Sequence, residues 1–132
     1  MTDQQTQTED HLSPVARLND LARTGQLANA RFVFTHALIA TLAPEAQDAL
    51  TEMLARAKLQ RRLIAAIADA AFNPDNDPHG EHDFGIFVFE DRKIYWKIDV
   101  YENDGTFQWG ANDPGDPATS YRIVTFMLPE DY

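Results

Sequence analysis

The sequence predicts an α+β fold, with N-terminal helices packed on one face of a C-terminal antiparallel sheet of three to five strands. Three observations predict it. Ala and Leu, which favour helices, dominate the first 72 residues. Phe, Tyr, Trp, Val and Ile, which suit strands, dominate the remainder, and 11 of the 14 aromatic residues lie there. Sixty residues of strand and loop bury little without helices against one face, so the shift marks two layers of one domain.

The chain of 132 residues is expected to form a single domain over residues 12–132. The Gln/Thr-rich residues 1–11 read as a disordered tail. Ser13 is a candidate N-cap with Pro14 at the first helical position. Leu12, Val15, Leu18 and Leu21 follow at helical spacing, with Arg23 and Gly25 as stop signals. Phe32-Val33-Phe34 is a short candidate strand. Pro44, with Glu45 and Asp48 behind it, then opens a second helix. Its apolar positions (Leu50, Met53, Leu54, Ala57, Ile64, Ile67, Ala68, Ala71) extend over 44–72 with a gap at Arg61, which reads as one long helix or as two broken near Gln60, with one long helix preferred. A helix that long overhangs a small sheet and predicts a homodimer contact through 44–72.

NPDNDPHG (73–80) is loop by composition. Phe84–Glu90, Lys93–Glu102, Thr106–Trp109 and Tyr121–Leu128 read as strands, and NDPGDPAT (112–119) as another loop. In Lys93–Glu102, Ile94, Trp96, Ile98 and Val100 point one way, toward the helices. Tyr95, Lys97, Asp99 and Tyr101 point the other way. A hairpin centred on Asp91-Arg92 pairs Phe87 with Trp96, Phe89 with Ile94, Phe84 with Asp99 and His82 with Tyr101. His82, Lys97, Asp99 and Tyr101 then share the face away from the helices. An odd-length turn would destroy that inference, because a one-residue slip exchanges the faces.

The absence of cysteine excludes disulfides, thiolate metal sites and cysteine nucleophiles. No apolar run reaches membrane-spanning length, and MTDQQTQTED lacks a signal pattern, so the expected setting is cytoplasmic, with no membrane partner. Net charge is -10, from 21 acidic and 11 basic residues. Residues 73–132 hold 13 of the acids and 4 of the bases. Direct nucleic-acid binding is disfavoured, because phosphates repel such a surface.

The densest chemical feature is DNDPHGEHDFG (75–85). Its carboxylates and imidazoles are the ligand types of hard and borderline metals and the usual general acids and bases. A calcium loop begins at Asp75 and Asp77 but fails at its twelfth position, which is Ile86 and not Glu. His79, Glu81 and His82 are the metal candidates, without the spacing of a known zinc motif. No cofactor is expected. A metal-free hydrolytic reading, for a phosphodiester or ester, takes His82 as base, oriented by Asp99 or Glu81, with Tyr101 or Lys97 stabilising developing charge. A structural reading competes with both: Asn, Asp and Pro form tight turns whose side chains bind backbone amides. His11 and His36 stand alone and read as non-functional. Arg56, Lys58, Arg61 and Arg62 read as a solvated helix side.

The acidity supports a third reading, a non-enzymatic binding or regulatory protein that engages a basic protein surface. The partner-binding candidates are Asp75, Asp77, Glu81, Asp83, Glu102, Asp104, Asp113 and Asp116. Small anti-restriction and anti-CRISPR proteins use one-sided acidity in this way.

NDPHGEHDFG (76–85), WKIDVYEND (96–104), NDPGDPATSYRIVTFMLPEDY (112–132) and LNDLARTG (18–25) together resemble a bacterial family of small proteins, a domain of unknown function. Its members are common in alphaproteobacteria and often plasmid-borne. Val100, Glu102, Phe126 and Pro129 depart from the usual residues of these blocks, while His79, Glu81, His82, Asp83 and Asp99 match. The resemblance implies a mobile-element setting and, by association, an accessory or counter-defence role.

Overall fold

The computed structural model describes residues 12–132; the expected tail, residues 1–11, lies outside the described residues. The elements in chain order are α1 (Pro14–Arg23), β1 (Ala30–Phe34), α2 (His36–Leu42), α3 (Ala49–Ile67), β2 (Phe84–Phe89), β3 (Arg92–Glu102), β4 (Ser120–Met127) and a 3-10 turn (Pro129–Asp131). The architecture is α+β: among the described residues, three helices and a four-stranded sheet in the order β1-β4-β3-β2.

α1 starts and stops where the sequence predicts. Ser13 Oγ accepts from the Ala16 amide at 3.1 Å, and Pro14 takes the first position, where its missing N–H costs nothing. At the other end Gly25 has φ +75°, its amide bonds Ala22 O, and the Gln26 amide bonds Leu21 O. That pair of bonds is a Schellman ending, which needs the left-handed residue that Gly supplies. The buried face differs from the predicted apolar stripe. Ala16, Asn19, Ala22 and Arg23 are buried beside Leu18, while Leu21 is exposed. The polar pair is drawn inward because both side chains have buried partners, described below.

The predicted long helix over 44–72 is shorter and begins later. Asp48, expected inside the first turn of a helix opened by Pro44, is instead the N-cap of α3, accepting from the Thr51 amide at 2.8 Å. The helix ends at Ile67 because the Arg23 guanidinium reaches across from α1. Its Nη1 donates to Ile67 O at 2.7 Å and to Ala68 O at 2.6 Å. A cation on terminal carbonyls satisfies acceptors that the helix leaves orphaned and complements its dipole. The segment before α3 holds α2, a helix that the sequence reading missed, capped by Thr35 Oγ1 on the Leu38 amide.

β2, β3 and β4 form the antiparallel meander expected. β1 pairs with β4 in parallel, so the sheet is mixed and not purely antiparallel. A meander of three strands ends in the direction it began. The helices carry the chain from β1 to the far edge, and β4 returns beside β1 with the same sense. Thr106–Trp109 is not a strand. Only a single bridge joins Tyr101 to Gly110, and Phe107 sits at φ +55°.

The β2–β3 register is shifted by two residues from the one predicted. Phe87 pairs with Ile94, Phe89 with Arg92 and Phe84 with Lys97. The turn is Glu90-Asp91, with φ +50° and +64°. Both central residues adopt the left-handed region, as a two-residue type I′ turn requires. A shift of two preserves the pleat, so the facing inferred for the β3 residues holds. Trp96 is 1% exposed and packs with Ile94, Ile98, Val124 and Phe126 against Leu38, Leu59, Leu63 and Ile67. Tyr95, Lys97, Asp99 and Tyr101 lie on the opposite face.

Candidate functional site

Alternation in β3 and β4 builds the sheet's open face. Lys97 lies beside Thr125, Asp99 beside Ile123 and Tyr101 beside Tyr121. No helix covers this face among the described residues. The 3-10 turn sits at its rim and brings in Asp131 and Tyr132. Together with Thr35, Lys97, Asp99, Tyr101, Ile123, Thr125 and Met127 they line a groove of about 670 Å³. A neighbouring hollow of about 310 Å³ shares Lys97, Asp99 and Tyr132 and adds Asn76, Pro78, Asp83 and Phe84.

The groove is aromatic at both ends. Tyr132 packs edge-on to Phe84 and Tyr95, with ring centroids 5.4 and 5.8 Å apart. At the other end Phe107 packs against Tyr101 and Tyr121, and the Arg31 guanidinium lies 4.8 Å from the Phe107 ring centroid. Between them Lys97 Nζ and Asp99 Oδ2 are 3.0 Å apart, a half-exposed pair worth little to stability. Asp131 Oδ2 accepts from Thr35 Oγ1 at 2.8 Å and from the Leu128 amide at 3.1 Å. The Asp83 carboxyl is held above its usual pKa, first by partial burial and then by the charges of Asp77 and Asp99.

That raised pKa has a stability consequence with a definite sign. The unfolded chain ionises near the ordinary value of 3.8, below the folded protein, so the ionised carboxylate at position 83 opposes folding at neutral pH. The penalty is full above the folded pKa and vanishes below about pH 3.8. Asp83→Asn is therefore expected to stabilise the protein slightly at pH 7, by about a few tenths of a kcal/mol after solvent screening. Melts across pH 3–8 should show the gain shrink as the pH falls; a gain independent of pH would contradict this origin.

His82 does not join Lys97, Asp99 and Tyr101. It precedes β2, and its φ of +58° breaks the strand alternation that the shared-face prediction assumed. Its ring turns to the helix side, stacking on Phe72 with centroids 4.0 Å apart. Its Nδ1 lies 2.9 and 3.1 Å from the two Asp20 carboxylate oxygens, and its Nε2 is 3.7 Å from Asp77 Oδ2. Asp20 also pairs with Arg23 at 3.1 Å. Neither Asp20 nor Phe72 was singled out from the sequence, because nothing local marks a helical Asp as the partner of an imidazole 62 positions away.

The loop explains the density of polar residues around it. Asn73 Oδ1 accepts from the amides of Asp75 and Asn76. Buried Asp77 accepts from the amides of Glu81 and His82. Such Asx bonding is the structural alternative weighed from the sequence. His79 is exposed. Among the described residues no three His, Asp or Glu side chains are grouped so that they could hold a metal ion, and this includes the candidates His79, Glu81 and His82.

Several of the partner-binding candidates are likewise engaged with their own loops. Asp104 accepts from the Thr106 amide and hydroxyl, which lowers its pKa. Asp113 accepts from the Gly115 amide, Asp116 from the Ala118 amide, and Glu102 from the Asn112 amide. Asp75 and Glu81 stay in the 73–83 loop. The open face thus assembles Lys97, Asp99, Tyr101 and Asp83 from the sequence candidates. It adds Asp131, Tyr132, Thr35, Thr125 and Phe84. The alternation of Tyr121, Ile123, Thr125 and Met127 in β4 is the signal that could have found Thr125.

No curated protein and no solved structure significantly matches the chain. A family model does, over residues 45–131, which span the blocks at 76–85 and 96–104 and all but the last residue of 112–132. LNDLARTG (18–25) lies outside the matched stretch. Since the match covers well over half of the chain, the chain belongs to the family described as a protein of unknown function, DUF3768.

Proposed function

We propose that this is a non-enzymatic binding protein that docks a basic protein surface on the open face of its sheet. The observation that carries the reading is the groove itself: an uncovered sheet face whose aromatic ends flank Asp99, with Asp83 and Asp131 close by. Guanidinium and ammonium groups take carboxylates and aromatic faces together. Arg31 over Phe107 displays that chemistry within the chain. The acidic excess of the second half would speed encounter with a basic partner. The resemblance to plasmid-borne bacterial proteins favours a partner from a nucleic-acid-handling or defence complex, met in the cytoplasm.

The test uses an arginine-rich peptide as probe, with binding measured at about 0.05 and about 0.5 M salt, where screening differs strongly. Affinity should fall at least about tenfold at the higher salt, and Asp99→Asn and Tyr101→Ala should each weaken it several-fold. Asp113→Asn, in a remote turn, should leave it unchanged. Salt-independent binding, or equal losses at positions 99 and 113, would sink the proposal.

The hydrolytic alternative has one observation in its favour, an imidazole held by a carboxylate, although Asp20 takes the role expected of Asp99 or Glu81. The His82 side chain is only 17% exposed and stacked on Phe72, which suits a structural part better. His82→Ala is expected to lower stability by about 1–3 kcal/mol, the usual effect of leaving a buried partner unsatisfied. An unchanged melting temperature with loss of ester or phosphodiester turnover would favour the hydrolase instead.

A further inference from the structure

The first half of α3 carries a second, separate surface. Leu59, Leu63 and Ile67 bury one side of this helix in the core. At 100° per residue, Leu50, Met53, Leu54 and Ala57 cluster on the side away from Leu59. Leu50, Met53 and Leu54 are 59–61% exposed. Three large apolar side chains side by side on one helix face mark a contact surface more than chance exposure does.

We propose that this stripe is the seam of a homodimer in which two copies of α3 pack antiparallel about a twofold axis passing between Met53 and Leu54. The stripe is self-complementary. Leu50 and Ala57 stand at equal distances on either side of that axis, so Leu50 of one copy faces Ala57 of the other. Met53 of each copy then meets Leu54 of the other. A twofold interface requires this isologous pattern.

Charge selects the antiparallel sense and a second copy as occupant. Glu45, Asp48 and Glu52 lie toward the start of the segment, whereas Arg56, Lys58, Arg61 and Arg62 lie toward its middle and end. Arg56 is paired with Glu52, and Arg62 with Glu90. Glu45, Lys58 and Arg61 make no ion pair among the described residues. Antiparallel packing brings the acidic end of each copy toward the basic stretch of the other, and it also opposes the two helix dipoles favourably. Parallel packing would stack like charge on like. Residues 2–10 of the same chain contain no apolar side chain that could cover the stripe instead.

The experiment is sedimentation equilibrium on the full chain across roughly 1–200 µM, a range that brackets a dissociation constant on the order of 10 µM for a small interface. Dimer is expected to accumulate over that range. Leu54→Glu should remain monomeric throughout, with an unchanged circular dichroism spectrum because the position is exposed. Orientation is read from single cysteines in this cysteine-free chain. Leu54→Cys should oxidise to a covalent dimer. Leu50→Cys should not, since antiparallel packing separates its two copies by about 10 Å along the helix, beyond disulfide reach. A wild-type chain monomeric at every concentration, a dimer that survives Leu54→Glu, or equal cross-linking at 50 and 54 would each overturn the proposal. A stripe that binds a different protein while the chain stays monomeric would do so too.

Discussion

Replacing Gly85 by alanine is expected to destabilise the protein by about 3 kcal/mol, at the upper end of overpacking costs in a dense core. The backbone at position 85 is ordinary strand, so conformational freedom is not the issue. The Trp96 indole lies directly over the glycine. An added Cβ would overlap Nε1 and stand 2.6 Å from Cε2. Neither side can yield cheaply. The indole is 1% exposed, held edge-on by Phe72 at 6.0 Å and packed in the main core cluster, and position 85 is tied into the β2–β3 ladder opposite Trp96 itself. For a domain of this size the loss corresponds to a fall in melting temperature of about 10 °C or more. The double variant Gly85→Ala, Trp96→Leu should be less destabilised than the sum of its singles, since the smaller side chain makes room. A Gly85→Ala melt within about 2 °C of the parent, or strict additivity, would show that the indole is not seated as described.

Arg122→Met is expected to cost about 3–5 kcal/mol even though it roughly conserves volume. Arg122 is fully buried in the middle of the hydrogen-bonded sheet. Its Nε donates to Asn19 Oδ1 at 2.6 Å, its Nη1 to Ser120 Oγ at 2.9 Å and its Nη2 to Pro114 O. Asn19 passes the link on, donating to Glu81 O at 2.9 Å. One guanidinium therefore ties β4, α1, the 112–119 loop and the 73–83 loop together. Methionine would leave several of those acceptors buried and unpaired, at about 1–3 kcal/mol each. Lysine cannot restore them, because a point ammonium lacks the planar fork. Burial pushes the Arg122 pKa down to about 10, well below the ordinary guanidinium range. The unfolded chain thus holds that proton more tightly than the folded one. The charged form opposes folding below about pH 10, and the cost is relieved only as pH rises above about 10. The hydrogen bonds offset that cost at neutral pH. Urea unfolding of Arg122→Met at pH 7 checks the claim, and a loss below about 1 kcal/mol would show the network to be dispensable.

Elements whose signals are local were legible. Ser13-Pro14 and Gly25 bracket α1 because capping and left-handed endings are decided within four residues. The period-two pattern of β3 set Trp96 inward and the Lys97–Asp99 stripe outward, and a register error of two residues left that intact. What failed was what depends on distant partners. The 44–72 helix was overextended because nothing near Ile67 announces that Arg23 will cap it. The parallel pairing of β1 with β4 joins Phe32 to Val124 across most of the chain, and a five-residue strand carries no mark of its neighbour's direction.

The candidate site divides in the same way. Lys97, Asp99 and Tyr101 were found together because a pleated strand places them without help from elsewhere. His82 was misplaced because one left-handed residue before β2 turned its ring toward Asp20, a choice made by the Phe72 stack and the buried Asp77 carboxylate that holds its amide.

By itself the sequence determined the layer order, the facing of β3, the caps of the first helix and the acidity of the second half, since these follow from side-chain periodicity and short-range bonding. Only the tertiary structure decided which buried polar groups meet, where the third helix stops and which carboxylates gather on the open face. Those outcomes are set by pairings between residues tens of positions apart, whose free energy exists only once the layers have closed on one another.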